Sequence, residues 1–205
     1  MISFYDVSVW QKPETVANLA KMNGDKILAV KASEGATLKD KNAVKHINAT
    51  KDFVECYILY HFMRCDKNAN NISVEVNNFV SACEKIKNET GVNKFVLALD
   101  FERCDNIHKY SDYANKAHRD ALTQAINLLQ NKYGVAPYVY ACESEYKGLL
   151  RHGVSIPWAW VARYGGINPP ARCGIWQYTN TGGRIDRNHY LGESVAQLKT
   201  KEVTI

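Results

Sequence analysis

The chain has 205 residues, 46% hydrophobic and 23% charged, which suits one large domain or two small ones with ample core. Its net charge of +5 fits an anionic partner such as nucleic acid, a membrane surface or a teichoic-acid-rich wall. The basic residues are dispersed, however, which argues against a nucleic-acid patch, and no apolar run reaches the roughly 18–20 residues of a membrane span.

Strands are predicted over residues 3–9, 26–31, 56–62, 94–101, 136–142, 159–162 and 174–178, with a short last one near 184–186. Helices fall between them. Pro13 opens the first, and others cover 39–50, 73–88, 112–133 and 143–151. In the third, Val76, Phe79, Val80, Cys83 and Ile86 follow a helical period. The fourth is the longest, with Ala117, Ala121, Ala125, Leu128 and Leu129 on one face and Gly134 as its C-cap. Continuous apolar strands alternating with amphipathic helices argue for a parallel sheet covered by helices. Helices thin out after Arg151, where Pro157, Gly165, Gly166, Pro169 and Pro170 punctuate the chain. The expected fold class is therefore α/β. We expect a single-domain, irregular β/α barrel of about eight strands with a reduced set of helices, spanning residues 1–205. An open doubly wound sheet competes with it, but no G-x-G-x-x-G or P-loop is present.

The six cysteines, Cys56, Cys65, Cys83, Cys104, Cys142 and Cys173, form no C-x-x-C pair, so a zinc ribbon or thioredoxin-like motif is not expected. The N-terminus lacks the basic start and apolar core of a signal peptide, which favours free, buried thiols.

The fourth strand ends in Leu99-Asp100-Phe101-Glu102. Side chains two apart on a strand point the same way, so both carboxylates share one side. Like charges that close resist joint ionisation, so one pKa should rise while the other stays low, the arrangement that glycosidic cleavage uses. In a β/α barrel the active site lies at the C-terminal strand ends. There the chain would deliver Asp6, Ser8 and Trp10, then Lys31 to Gly35, Tyr60-His61-Phe62, Asp100 and Glu102, Tyr138 and Tyr140, Trp158 and Trp160, Tyr164, Trp176-Gln177-Tyr178 and Asp186. Each has a plainer reading. Asp6 could be an ion-paired group, Glu34 a turn residue, His61 a structural histidine, the tyrosines and Trp158 core, and Asp186 a turn cap after Gly182-Gly183. Acids and aromatics gathered at one rim nevertheless form a natural sugar-binding surface.

Asp6-Val7-Ser8-x-Trp10-Gln11, Lys31-Ala32-Ser33-Glu34-Gly35, Tyr60-His61-Phe62, Leu99-Asp100-Phe101-Glu102, Trp160-Val161-Ala162-Arg163-Tyr164, Trp176-Gln177-Tyr178-Thr179 and Asp186-x-Asn188 occur in that order. With them the chain resembles the glycoside hydrolase family 25 lysozymes, the Chalaropsis-type muramidases of phage endolysins and bacterial autolysins. The resemblance runs from about Asp6 to Tyr190. It implies a β/α barrel that hydrolyses the β-1,4 bond between N-acetylmuramic acid and N-acetylglucosamine in bacterial peptidoglycan. It also implies Glu102 as general acid, Asp100 as partner carboxylate, and Asp6 and Asp186 completing an acidic floor. Substrate contacts are expected from Glu34, Tyr60, Tyr138, Tyr140, Trp160, Tyr164, Gln177 and Tyr178.

The family is regarded as retaining. Either a carboxylate or the substrate's own N-acetyl oxygen attacks the anomeric carbon; the latter, with Asp100 orienting the acetamide, is favoured. No cofactor or metal is expected, nor nucleic-acid binding or membrane insertion, and the chain is expected to be monomeric. Only about fifteen residues follow Tyr190, so no separate wall-binding module is expected. The expected place of action is the bacterial cell wall, for a phage endolysin made in the host cytoplasm or an exported bacterial enzyme. The rivals are a non-catalytic glycan-binding barrel and a chitinase-like hydrolase. The latter's D-x-x-D-x-D-x-E pattern fails here, because Leu97, Ala98 and Leu99 precede Asp100.

Overall fold

The structure, a computed structural model, describes residues 1–65, 71–103, 111–180 and 185–205. Among the described residues the strands are β1 (Ile2–Val7), β2 (Ile27–Glu34), β3 (Leu38–Lys39), β4 (Cys56–Phe62), β5 (Lys94–Asp100), β6 (Tyr138–Cys142), β7 (Trp158–Ala162), β8 (Ile175–Thr179), β9 (Asp186–Tyr190) and β10 (Val203–Thr204). The helices are α1 (Pro13–Asn23), α2 (Ala43–Thr50), α3 (Ile72–Thr90), α4 (Lys116–Tyr133), α5 (Glu143–Arg151) and α6 (Val195–Lys199). None is long and apolar enough to cross a membrane.

Eight strands close into a barrel in the order β1, β2, β4, β5, β6, β7, β8, β9 and back to β1. The pairings from β1 through β8 are parallel, whereas β9 runs antiparallel to both β8 and β1. Two-residue β3 and β10 are antiparallel additions to β2 and β5. The expected α/β barrel is thus present, with one reversed strand that the parallel-sheet reading did not include. The reversal follows from the connections. A parallel crossover needs about a dozen residues and usually a helix, whereas β8 ends at Thr179 and β9 starts already at Asp186. The last strand was expected near 184–186 but occupies Asp186–Tyr190, and Arg184 lies outside the described residues.

Strand alternation divides the core in two. Inward residues such as Phe4, Ala29, Ile58, Ala98, Trp160 and Ile175 fill the barrel. Outward residues such as Val7, Val30, Leu59, Leu97 and Val139 pack against Val16, Ile47, Phe79, Leu122 and Leu129 of the helices. Burying a residue such as Phe4 or Phe79, both 0% exposed, contributes roughly 1.5–3 kcal/mol. The long fourth helix begins at Lys116, four residues later than predicted, because Asn115 caps it by accepting the Ala117 N–H at 2.9 Å. Gly134 ends it as expected, at φ 76°, with its N–H on the Gln130 carbonyl. Among the described residues Cys56, Cys83, Cys142 and Cys173 are free thiols and Cys65 is buried; Cys104 lies outside them.

Gly148 in α5 lies against the ring of Tyr113, and a Cβ there would land inside van der Waals contact with it. Gly148→Ala is expected to lower stability by about 1–3 kcal/mol in chemical denaturation, despite alanine's better helix propensity. A stabilised variant would show that the Tyr113 loop yields freely.

Candidate active site

The barrel registers bring the acids together. Asp6, near the end of β1, is paired with Asp186, the first residue of reversed β9. Asp100 ends β5 between Phe62 of β4 and Tyr140 of β6. Glu102 lies two residues beyond. All four acids line one cavity of about 200 Å³ at this mouth, with Lys31, Tyr60, Phe62, Tyr140, Trp160 and Gln177.

The floor beneath them is a directed hydrogen-bond network. Trp160 Nε1 donates to Asn188 Oδ1 at 2.8 Å, which turns the Asn188 amide so that its Nδ2 donates to Asp6 Oδ2 at 2.6 Å. The hydroxyls of Tyr140 and Tyr164 donate to Gln177 Oε1 at 3.0 and 2.7 Å, and Gln177 Nε2 then donates to the same Asp6 oxygen at 3.0 Å. Indole N–H is donor-only, so Trp160 fixes the orientation of Asn188. Tyr140 and Tyr60 stand edge-on to Trp160, with centroids 5.2 and 6.1 Å away. Burial holds both phenols well above their ordinary range, so they remain neutral donors.

The electrostatics are those of crowded, desolvated carboxyls. Burial pushes Glu102 up to about 7, reinforced by the charge of Asp6 and opposed by Lys31. Burial, then Asp6 and Glu102, pushes Asp186 to about 7 as well. Burial, then the charge of Glu102, raises Asp100 well above the ordinary carboxylate range. Burial raises Asp6 too, against the hydrogen bonds from Asn188 and Gln177. The sequence led us to expect one raised and one low carboxyl. All four rise instead, because burial acts on each, while Lys31 opposes it only at Asp100 and Glu102. Asp100 Oδ1 is buried with no hydrogen-bond partner among the described residues. Among them no cluster of His, Cys, Asp or Glu is arranged to hold a metal ion.

Of the expected contact residues, Tyr60, Tyr140, Trp160 and Gln177 line this cavity, and Tyr164 joins through its hydroxyl while 46% exposed. Glu34 stands beside it, in an adjoining cavity. Burial works against its charge, but the Lys31 hydrogen bond (2.6 Å) and the Lys31 and Arg64 charges hold it below its ordinary range. Two residues are elsewhere. Tyr138 opens β6 rather than ending it, so it faces the opposite mouth with Trp158 and Tyr190. Tyr178 follows inward Gln177 and so faces outward, stacked on His189 with centroids 4.2 Å apart.

Lys31, Phe62, Trp10 and Asn188 sit in the motifs quoted above, yet the sequence reading gives them no role. The signal for Asn188 is its two-residue spacing from Asp186. For Lys31, a register shift against β4 between Lys31 and Ser33 helps re-aim the strand end, and the ammonium lies 4.6 Å over Phe62. His61 resembles the centre of a triad, with Ser33 Oγ 2.8 Å from Nδ1 and Glu75 Oε2 3.2 Å from Nε2. All three are at most 1% exposed, so no substrate reaches them, and they brace β2, β4 and α3 as a structural histidine would.

Comparison with known proteins gives one consistent answer. The family model described as glycosyl hydrolases family 25 matches residues 5–186. Among solved structures, a family 25 lysozyme from Aspergillus fumigatus superposes with TM-score 0.77 at 17% identity, covering 98% of each chain. A bacterial lysozyme from Streptomyces coelicolor gives 0.75 at 20% identity, covering 98% of this chain and 96% of that one. The catalytic domain of an endolysin from a Listeria monocytogenes bacteriophage gives 0.74 at 23%, covering 97% of each. No curated protein sequence matches. At these identities the structural likenesses establish the fold.

The raised carboxyls set the sign of the pH dependence of stability. A carboxyl whose folded pKa lies above its unfolded value binds more protons in the folded state, so stability falls as pH rises. For Asp186 the window runs from about 4 to about 7. Asp186→Asn should therefore melt higher than wild type at pH 8, by roughly 1–2 kcal/mol after solvent screening, and no higher at pH 4. A pH-independent difference would refute the burial account.

Proposed function

We propose that this chain, which belongs to glycosyl hydrolase family 25, is a lysozyme acting on bacterial peptidoglycan. Family membership makes it a glycoside hydrolase. The bond cut is the β-1,4 linkage between N-acetylmuramic acid and N-acetylglucosamine, and the enzyme works at the cell wall. The observation that carries the reading is the pair of buried Asp100 and half-buried Glu102 in an acidic, aromatic-floored cavity.

Glycosidic cleavage needs a proton for the leaving oxygen and negative charge beside the developing oxocarbenium ion. Glu102, at about 7, keeps its proton near neutrality and gives it to the leaving oxygen. Asp6 and Asp186 supply the surrounding negative field. Asp100 offers the unpartnered Oδ1, which takes the acetamide N–H of the substrate and turns the acetamide oxygen onto the anomeric carbon. The resulting ring-closed oxazolinium intermediate is opened by water, with Glu102 now acting as base. Two displacements retain the anomeric configuration.

Wild type and Glu102→Gln are to be incubated with purified peptidoglycan, and the fragments reduced with borohydride and read by mass spectrometry. Reduced N-acetylmuramic acid ends are expected from wild type, with turnover in Glu102→Gln falling by at least about 100-fold. Wall binding without release by wild type would leave a glycan-binding barrel. Substantial activity in Glu102→Gln would remove its role, and a glycosyl ester trapped on Asp100 would remove the acetamide step.

The pH profile offers an independent check. Activity should fall on the alkaline side with an apparent pKa of about 7, as Glu102 loses its proton. The charge of Asp6 helps hold that value up, so Asp6→Asn should move the alkaline limb to lower pH as well as slowing turnover. A limb that does not move would uncouple the two.

A further inference from the structure

A second cavity, of about 240 Å³, adjoins the carboxylate cavity and shares Trp10 and Lys31 with it. Three exposed apolar side chains meet there: Trp10 at 87%, Leu38 at 52% and Val9 at 40%. Exposed apolar groups gathered beside a cleft, rather than scattered singly, mark a binding surface.

The polar wall of this cavity carries an excess of positive charge. It holds Lys31, Lys39 and Lys41 against two acids: Glu34, which pairs with Lys31 and Arg64, and Asp40, which accepts the backbone N–H groups of Val9 (2.7 Å) and Asn42 (2.8 Å) and keeps its charge. Lys39 bonds the neutral Ser81 hydroxyl at 2.7 Å, a contact that does not neutralise its charge. Lys41 is exposed on the same wall. The β2–β3 pairing of Ser33 with Lys39 and Glu34 with Leu38 fixes this wall to the barrel.

The proposed substrate dictates what enters. The bond cut is the glycosidic bond of the muramic acid, so that sugar lies directly over Asp100 and Glu102. Its lactyl ether carries the stem peptide, which must leave through space continuous with the carboxylate cavity. A stem peptide has small apolar side chains and free carboxylates, matching an apolar wall beside an excess of lysine charge. A bare phosphodiester polymer would match the lysines but not the apolar wall.

We infer that the cavity formed by Val9, Trp10, Leu38, Lys39 and Lys41 holds the acidic stem peptide of the muramic acid whose bond is cut. The inference rests on the muramidase reading, and one experiment separates them. The rates of wild type and of a Lys39→Glu/Lys41→Glu variant are measured on purified peptidoglycan and on the same glycan stripped of its peptides by an amidase. A Lys21→Glu/Lys132→Glu variant carries the same change in net charge at exposed positions outside this cavity.

The expected result is a fall in kcat/KM of about tenfold for the Lys39/Lys41 variant on stem-bearing substrate. On stripped glycan its rate should match wild type, which also shows that it is folded, and the control pair should match wild type on both. Equal losses on both substrates, no loss on either, or the same loss in the control pair would each overturn the stem site while leaving the muramidase intact. Failure of wild type to cut either substrate would overturn both.

Discussion

The structure is organised around one costly requirement: four carboxyls crowded and partly desolvated at a single barrel mouth, with Asp100 buried and Asp6, Glu102 and Asp186 half-buried. Burial of a carboxylate is tolerated only when it is hydrogen-bonded, paired or protonated, and this site divides those solutions among its members. Asp6 receives two amide hydrogen bonds from Asn188 and Gln177, and Lys31 faces the group from one side. Glu102 and Asp186 are pushed toward neutral pKa values, and Asp100 keeps a buried oxygen without a donor among the described residues. An acid that holds its proton beside an acceptor with spare capacity suits proton donation and substrate orientation. The arrangement that opposes stability is the one that supports chemistry.

That strain is sustained by what lies below. Trp160, Tyr140 and Tyr60 fill the barrel beneath the acids, and their polar tips aim the two amides that hold Asp6. Behind the β2–β4 wall, the Ser33–His61–Glu75 chain ties strands to α3 without touching solvent. Glu75 also accepts the backbone N–H of Arg64, whose side chain pairs with Glu34, and Glu34 in turn binds Lys31. The cation that tempers the acid cluster is therefore positioned from well outside the cavity.

The legible parts of this sequence were those written in local patterns. Five apolar residues running into Asp100, with Glu102 two further on, define both a strand end and a pair of same-side carboxyls. Tyr138 and Tyr178 show the limit. Each is an aromatic residue near a strand that reaches the site, but one starts its strand and the other has outward parity, and both facts depend on boundaries that hydrophobicity blurs. Counting by twos from Gln177, an evident inward residue, would have excluded Tyr178. The reversed direction of β9 is not written in its own residues; its signal is the short stretch of chain after β8, which the parallel-sheet reading does not use. Lys31 went unassigned for a similar reason: its approach to the acids depends on a register irregularity, a property of two strands rather than one.

The antiparallel closure by β9 places Asp186 directly opposite Asp6, so the acid cluster draws on the first and last strands of the barrel. Asn188, which holds Asp6, arrives on the same final strand. A chain that has folded only β1 through β8 is an open barrel that lacks Asp186 and the shorter of the two amide hydrogen bonds to Asp6. On the proposed muramidase reading, competence therefore waits for the last barrel strand to be made and docked.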